Sequence, residues 1–113
     1  MAVAEDVREI LRRMPEAFVP EKAAGLDALI QLNLTGEGGG EWQIKIVNSQ
    51  ISVKEGRASS SDLTLTMDTV DYVALSKGEV NPMNLFLGGK IKLLGNMTLA
   101  MKFQEMFDRN RVA

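Results

Sequence analysis

The chain has 113 residues, 45% hydrophobic and 25% charged, an ordinary globular balance that excludes a disordered, collagen-like or supercharged chain and supports one core rather than two. Thirteen Lys and Arg against fifteen Asp and Glu give a net charge of −2, so no overall basic excess draws the chain onto nucleic acid or an anionic membrane. Histidine and cysteine are both absent, which removes disulfides, thiolate nucleophiles, imidazole bases and nearly all zinc or haem ligands.

Residues 2–14 place Val3, Val7, Ile10, Leu11 and Met14 at helical spacing among charged residues, which predicts an amphipathic helix ended by Pro15. Those charges stand where a signal peptide would be apolar, and no run approaches the roughly 18 apolar residues of a membrane span. A cytoplasmic location is therefore expected. Pro15 to Gly25 reads as an ordered connector that pins Phe18 to the core, with a short helical turn at Glu21 to Ala24.

From Leu26 the apolar period becomes two: Leu26, Ala28, Ile30, Leu32 and Leu34 predict a strand with one buried face. The glycine-rich run Gly36 to Gly40 turns the chain into a second strand carrying Trp42, Ile44 and Ile46. Asn48-Ser49 makes a tight turn into a third strand at Ile51 to Lys54. After a polar loop, Leu63, Leu65 and Met67 mark a fourth strand. Helices then begin at cap residues. Asp68 precedes a helix Thr69 to Lys77 stopped by Gly78, and Asn81 precedes Pro82 to Leu87, stopped by Gly88-Gly89. Ile91 and Leu93 give a fifth strand, and Asn96 opens a last helix, Met97 to Asp108. The layout, α-ββββ-αα-β-α, predicts a two-layer α+β domain with helices on one sheet face and water on the other.

Few residues offer chemistry. Gly36 to Gly40 lacks the following helix and Lys-Ser/Thr pair of a phosphate loop, and Gly88-Gly89 is explained by helix capping as readily as by a polar ligand. Ser59, Ser60 and Ser61 beside Asp62 have no histidine base, and nothing in the spacing marks a lysine to replace it. Asp68 and Asp71 read as caps before a metal or acid/base pair. No catalytic residue, metal site or cofactor is expected. The unusual feature is apolar: five of seven methionines lie between Met67 and Met106, and the last helix carries Met97, Leu99, Ala100, Met101, Phe103, Met106 and Phe107. That arc is wider than one sheet contact requires, and flexible, polarizable methionine suits either an irregular core or an apolar ligand cavity.

The stretches Asp62-Leu-Thr-Leu-Thr-Met67, Leu75-Ser-Lys-Gly-Glu-Val-Asn-Pro82, Gly89-Lys-Ile-Lys92 and Gly95-Asn-Met-Thr-Leu-Ala-Met-Lys102, with Phe86 between them, resemble the sterol-carrier-protein-2-like family of small lipid-binding domains. The resemblance runs from about Phe18 to Phe107, so the whole chain reads as one such domain, with an N-terminal helix at about 2–14 and a core at about 18–108. It implies a five-stranded mixed sheet of order 3-2-1-4-5, helices on one face, and an enclosed apolar tunnel for fatty acyl chains, acyl-CoA, phospholipids, isoprenoid tails or sterols. It also implies binding and carriage without catalysis. The wall residues it suggests are Leu63, Leu65, Met67, Val73, Leu75, Met83, Phe86, Leu87, Met97, Met101 and Phe103, while Trp42 fits core and tunnel equally.

Two departures limit the transfer. Where some members carry Gln before the glycine of the Gly-Lys-Ile-Lys segment, this chain has Gly88, which leaves wider space or a bare backbone N–H at that point. The ending Arg111-Val-Ala113 differs from the peroxisomal tripeptide of many eukaryotic members and fits a stand-alone bacterial one, for which an acyl or isoprenoid lipid suits better than a sterol. A hydrophobic lipid is thus the expected partner, nucleic acid is not, and transient contact with a membrane or enzyme is allowed, as monomer or homodimer. The competing function is an accessory module that dimerises or presents lipid to a partner enzyme; a serine-lysine hydrolase is a third.

Overall fold

A computed structural model describes residues 3–106. The first helix, α1, spans Val3–Ala17 and buries Val7 and Leu11, with Ile10 and Met14 partly buried beside them. Its outer face carries exposed ion pairs, Arg12 to Glu9 at 2.6 Å and Arg13 to Glu16 at 3.3 Å, which water screens and which add little to stability. Pro15 does not end the helix, contrary to the sequence expectation: it lies inside, and α1 continues to Ala17. Proline deprives the Leu11 carbonyl of its donor and disfavours helical geometry at Met14. Packing outweighs both, because Met14 and the fully turned-in Phe18 hold the last turn against the core. A short 3₁₀ turn, Pro20–Ala23, follows, and the Val19 N–H donates to the Met106 carbonyl at 2.7 Å, tying this connector to the end of the last helix.

The sheet contains β1 Ala28–Thr35, β2 Gly40–Val47, β3 Gln50–Glu55, β4 Leu63–Asp68 and β5 Ile91–Gly95, in the order β3-β2-β1-β4-β5. Only β1 and β4 are parallel; the other neighbours are antiparallel. This is the mixed sheet that the resemblance implies. The first strand starts at Ala28 rather than Leu26, which is left partly buried ahead of it. The β2–β3 turn uses Asn48 and Ser49 at φ of 55° and 60°, the left-handed pair whose twist suits a two-residue hairpin.

Register aligns the apolar residues into rows on one face: Val53, Ile44, Ile30 and Leu63 in one, Trp42, Leu32, Leu65 and Leu93 in the next, then Leu34, Met67 and Ile91. The helices cover this face. The other is polar, as alternation predicts, but water does not meet all of it. The connection from β3 to β4 crosses it and buries Gln31, whose amide donates to the Gly56 carbonyl at 3.4 Å and accepts from the Ala58 N–H at 2.9 Å. Asp62 closes the crossing: its carboxylate accepts from the Leu29 N–H, and its own N–H donates to the Leu29 carbonyl, both at 2.8 Å.

Helix α2 is Thr69–Ser76, α3 is Pro82–Leu87 and α4 is Met97–Glu105. Each opens on the cap read from the sequence: Asp68 accepts from the Val70 N–H, Asn81 from the Met83 N–H, and Asn96 from the Leu99 N–H. Such caps satisfy N–H groups that have no carbonyl four residues back. Phe107 and Asp108, where the sequence places the last turn of α4, lie outside the described residues.

Candidate ligand cavity

Between the apolar sheet face and the helices lies a cavity of about 790 Å³. Its floor is the C-terminal half of β4 with its neighbours: Leu65 and Met67, Leu32 from β1, Ile44 from β2, and Leu93 and Ile91 from β5. Two turns of α1 contribute Ile10 and Met14, and α2 contributes Tyr72, Leu75 and Ser76. The connector Gly78 to Asn81 closes one side. Pro82, Met83 and Phe86 of α3 and Met97, Ala100, Met101 and Phe103 of α4 complete the lining. Of these, Met83, Phe86, Met97 and Met101 are also exposed to solvent, so they edge the mouth.

Eight of the eleven wall residues that the resemblance suggests line this cavity: Leu65, Met67, Leu75, Met83, Phe86, Met97, Met101 and Phe103. Leu63, Val73 and Leu87 do not. Leu63 shares the inward face with Leu65 and Met67, but sits opposite Ile30 and Gly95 and is fully buried; at about 3.3 Å per residue it is roughly 13 Å along the strand from Met67. Val73 packs into the core, one step round α2 from Tyr72. Leu87 turns outward, 76% exposed. Trp42 joins the core rather than the lining, its ring lying 2.9 Å from where a side chain on Gly40 would begin.

The lining residues that sequence reasoning missed come from α1, from the floor contributed by β1, β2 and β5, from the connector before α3, and from Tyr72 and Ser76 of α2, Pro82 of α3 and Ala100 of α4. Ile10 and Met14, four residues apart, were legible as a second apolar stripe beside Val7 and Leu11. Alternation marks the inward face of a strand, but it carries no sign of where along that face a void lies.

Polar atoms of the lining are mostly committed within the protein. The Ser76 hydroxyl donates to the Tyr72 carbonyl at 2.9 Å, and the Asn81 side chain is occupied as the cap of α3. The Tyr72 hydroxyl is sealed from solvent with no hydrogen-bond partner, and burial pushes its pKa well above the ordinary tyrosine value. Glu79 is the one charged side chain among the described lining residues. Ser61, by contrast, bonds Thr64 at 2.9 Å beside the crossing segment on the polar sheet face. Among the described residues no three acidic groups gather as a metal would need, and no helix is long and apolar enough to cross a membrane.

A family model described as the SCP-2 sterol transfer family matches residues 7–108. The chain belongs to that family. It is 36% identical to Sterol carrier protein 2 of Homo sapiens over 92% of its own length and 19% of that protein, and 29% identical to Hydroxysteroid dehydrogenase-like protein 2 of Bos taurus over 91% and 25%. It therefore spans only about a fifth to a quarter of these curated relatives. The solution structure of palmitated SCP2L2 from Aedes aegypti is 28% identical, with a TM-score of 0.69 over 93% of each chain. The SCP-2 fold is a lipid-binding fold, generally non-catalytic, and the five-stranded sheet with its helices is that fold.

Proposed function

We propose that this chain takes the apolar tail of a fatty acyl, acyl-CoA, phospholipid or isoprenoid lipid into the cavity between sheet and helices, and carries or presents it without making or breaking bonds. The observation that supports this reading is the cavity itself: about 790 Å³, open to water at one side and lined mainly by carbon. That volume falls within the usual range for small-molecule sites. At about 0.8 kcal/mol per methylene, twelve buried methylenes contribute roughly 10 kcal/mol before association and ordering costs of about 4–15 kcal/mol. Micromolar, loosely selective binding follows without a strong polar anchor, which matches a lining whose hydroxyl and amide groups are already engaged or sealed. The mosquito relative was solved in palmitated form, which is consistent with an acyl ligand here. A hydrolase built on Ser59 to Ser61 is disfavoured, because that segment crosses the polar side of the sheet, away from the cavity.

The test is solvent extraction of the purified protein with mass spectrometry of the released material, followed by titration with a fluorescent fatty acid. A stoichiometric lipid identifies the ligand class. Phe86→Glu is expected to weaken binding about tenfold or more with little loss of stability, because Phe86 lines the cavity yet is 41% exposed. Equal loss of binding and stability would make it core. A protein that is always empty and binds no fatty acid would favour the accessory-module reading, with the open apolar rim as a partner interface.

A further inference from the structure

A lipid held in this cavity leaves its tail among carbon and its polar head at the opening, where water remains. The head is therefore selected by whatever lines that opening. The four apolar residues of the mouth are joined by Gly78, Glu79 and Asn81 of the connector, which also line the cavity and are exposed. Glu79 carries the only formal charge among the described lining residues. It forms no ion pair among the described residues. Lys77, Lys90, Lys92 and Lys102 adjoin lining residues in sequence, but none belongs to the lining. Lys92 alternates with the inward Ile91 and Leu93 and so faces the polar side of the sheet. Arg13, beside Met14, is drawn to Glu9 and Glu16 of its own helix.

Groups that ordinarily receive an anion are engaged or missing here. The Gly78 and Glu79 N–H groups donate to the Leu75 and Ala74 carbonyls at 3.1 and 2.9 Å. Pro82 has no N–H, and the Met83 N–H donates to the Asn81 side chain at 2.8 Å. The Ser76 hydroxyl donates to the Tyr72 carbonyl, and the Tyr72 hydroxyl is sealed. A carboxylate or phosphate at the opening thus meets a negative charge and none of these donors. An uncharged head meets no repulsion, and a hydroxyl has a proton to donate to the Glu79 carboxylate.

We propose that Glu79 sets the head-group preference of the cavity, favouring lipids with an uncharged head, such as long-chain alcohols and esters, over anionic fatty acids, acyl-CoA and phosphates. The inference rests on the lipid-binding reading and ranks its ligand classes. The preference is a bias and not an exclusion. Tail burial, common to all these lipids, supplies most of the attraction, and a carboxylate beside water acts through a high dielectric. The bias does not depend on one side-chain rotamer, because at ordinary salt two charges within about 10 Å still feel each other.

The test uses the whole chain and competition of laurate, dodecanol and methyl laurate against the uncharged dye N-phenyl-1-naphthylamine, at neutral pH, where laurate is ionised, and at two salt concentrations. The readout is the ratio of laurate affinity to dodecanol affinity, in which the shared tail largely cancels. Glu79→Gln is expected to raise this ratio about threefold and Glu79→Lys about tenfold, and high salt should bring the parent toward Glu79→Gln. The ratio of methyl laurate to dodecanol should stay constant throughout. Glu55→Gln removes the same charge from an exposed site on β3 outside the lining, and its laurate ratio should equal the parent's. A laurate ratio that is the same in the parent, Glu79→Gln and Glu79→Lys, or that Glu55→Gln shifts as much as Glu79→Gln does, would overturn the proposal and leave the cavity reading standing. A chain that binds neither the dye nor any of the three lipids would overturn both.

Discussion

Tyr72 is the residue at which burial and chemistry disagree most. Its ring helps wall the cavity, yet its hydroxyl is sealed without a partner, an arrangement that costs about 1–3 kcal/mol of desolvation with no hydrogen bond in return. Desolvation disfavours the phenolate, so the folded-state pKa lies well above the ordinary value of 10.0. The folded protein then holds a proton that the unfolded chain releases. Stability linked to this group is complete below about pH 10 and is lost progressively as pH rises from there toward the raised value. Because this is the only tyrosine, phenolate absorbance should stay absent while the fold persists and appear together with alkaline unfolding. In Tyr72→Phe the tyrosine-linked part of the alkaline loss should vanish, and stability at neutral pH should be unchanged or higher by up to about 1 kcal/mol. Ordinary titration of the tyrosine in the folded protein would show that the hydroxyl reaches water.

At the scale of elements, the corner from β5 into α4 has the least room for change. Gly95 adopts φ of +119°, and a β-carbon there would meet the Asp62 carbonyl oxygen at 2.5 Å. Asp62 cannot yield easily: its own carbonyl accepts from the Asn96 N–H at 3.1 Å, and its side chain and N–H hold Leu29. Gly95→Ala should therefore destabilise by about 3 kcal/mol, backbone strain and clash together, whereas Gly89→Ala, at φ of +74° with open space around it, should cost about 1 kcal/mol. Denaturant unfolding compares the two. Gly95 was legible only as a turn, since the Asp62 carbonyl it approaches is 33 residues earlier in sequence. Elements governed by local chemistry were legible: alternation gave all five strands, and Asp68, Asn81 and Asn96 cap the helices they precede. Pro15 misled because a local rule met a tertiary contact, the packing of Met14 and Phe18, that the local sequence does not display. Likewise the resemblance suggests Met67 and Phe86 as wall residues, but the register that sets Leu32, Leu65 and Leu93 side by side on the floor arises only when strands distant in sequence pair.

For the whole molecule, the question is what an open apolar cavity does to stability. The radius of gyration is 13.1 Å, close to the roughly 13 Å of any compact domain this long, so the cavity is made by leaving apolar surface unburied rather than by swelling the chain. Leu75 and Phe103, both only partly buried, then present to the cavity carbon surface that a filled core would bury. A ligand that occupies the space returns that burial and binds only the folded state. At a hundred times its Kd such a ligand adds about 2.7 kcal/mol, which for a chain of this length raises Tm by on the order of 10 °C. Scanning calorimetry with increasing fatty acid should therefore show Tm rising with the logarithm of free ligand, and Phe86→Glu should shift the curve to higher ligand without lowering the ligand-free Tm by more than a few degrees. Lys102→Glu, exposed on α4 but outside the lining, should follow the parent curve. A Tm that ignores fatty acid at every concentration would mean that the cavity takes no acyl chain, and the apolar rim would then have to be explained by its partner alone.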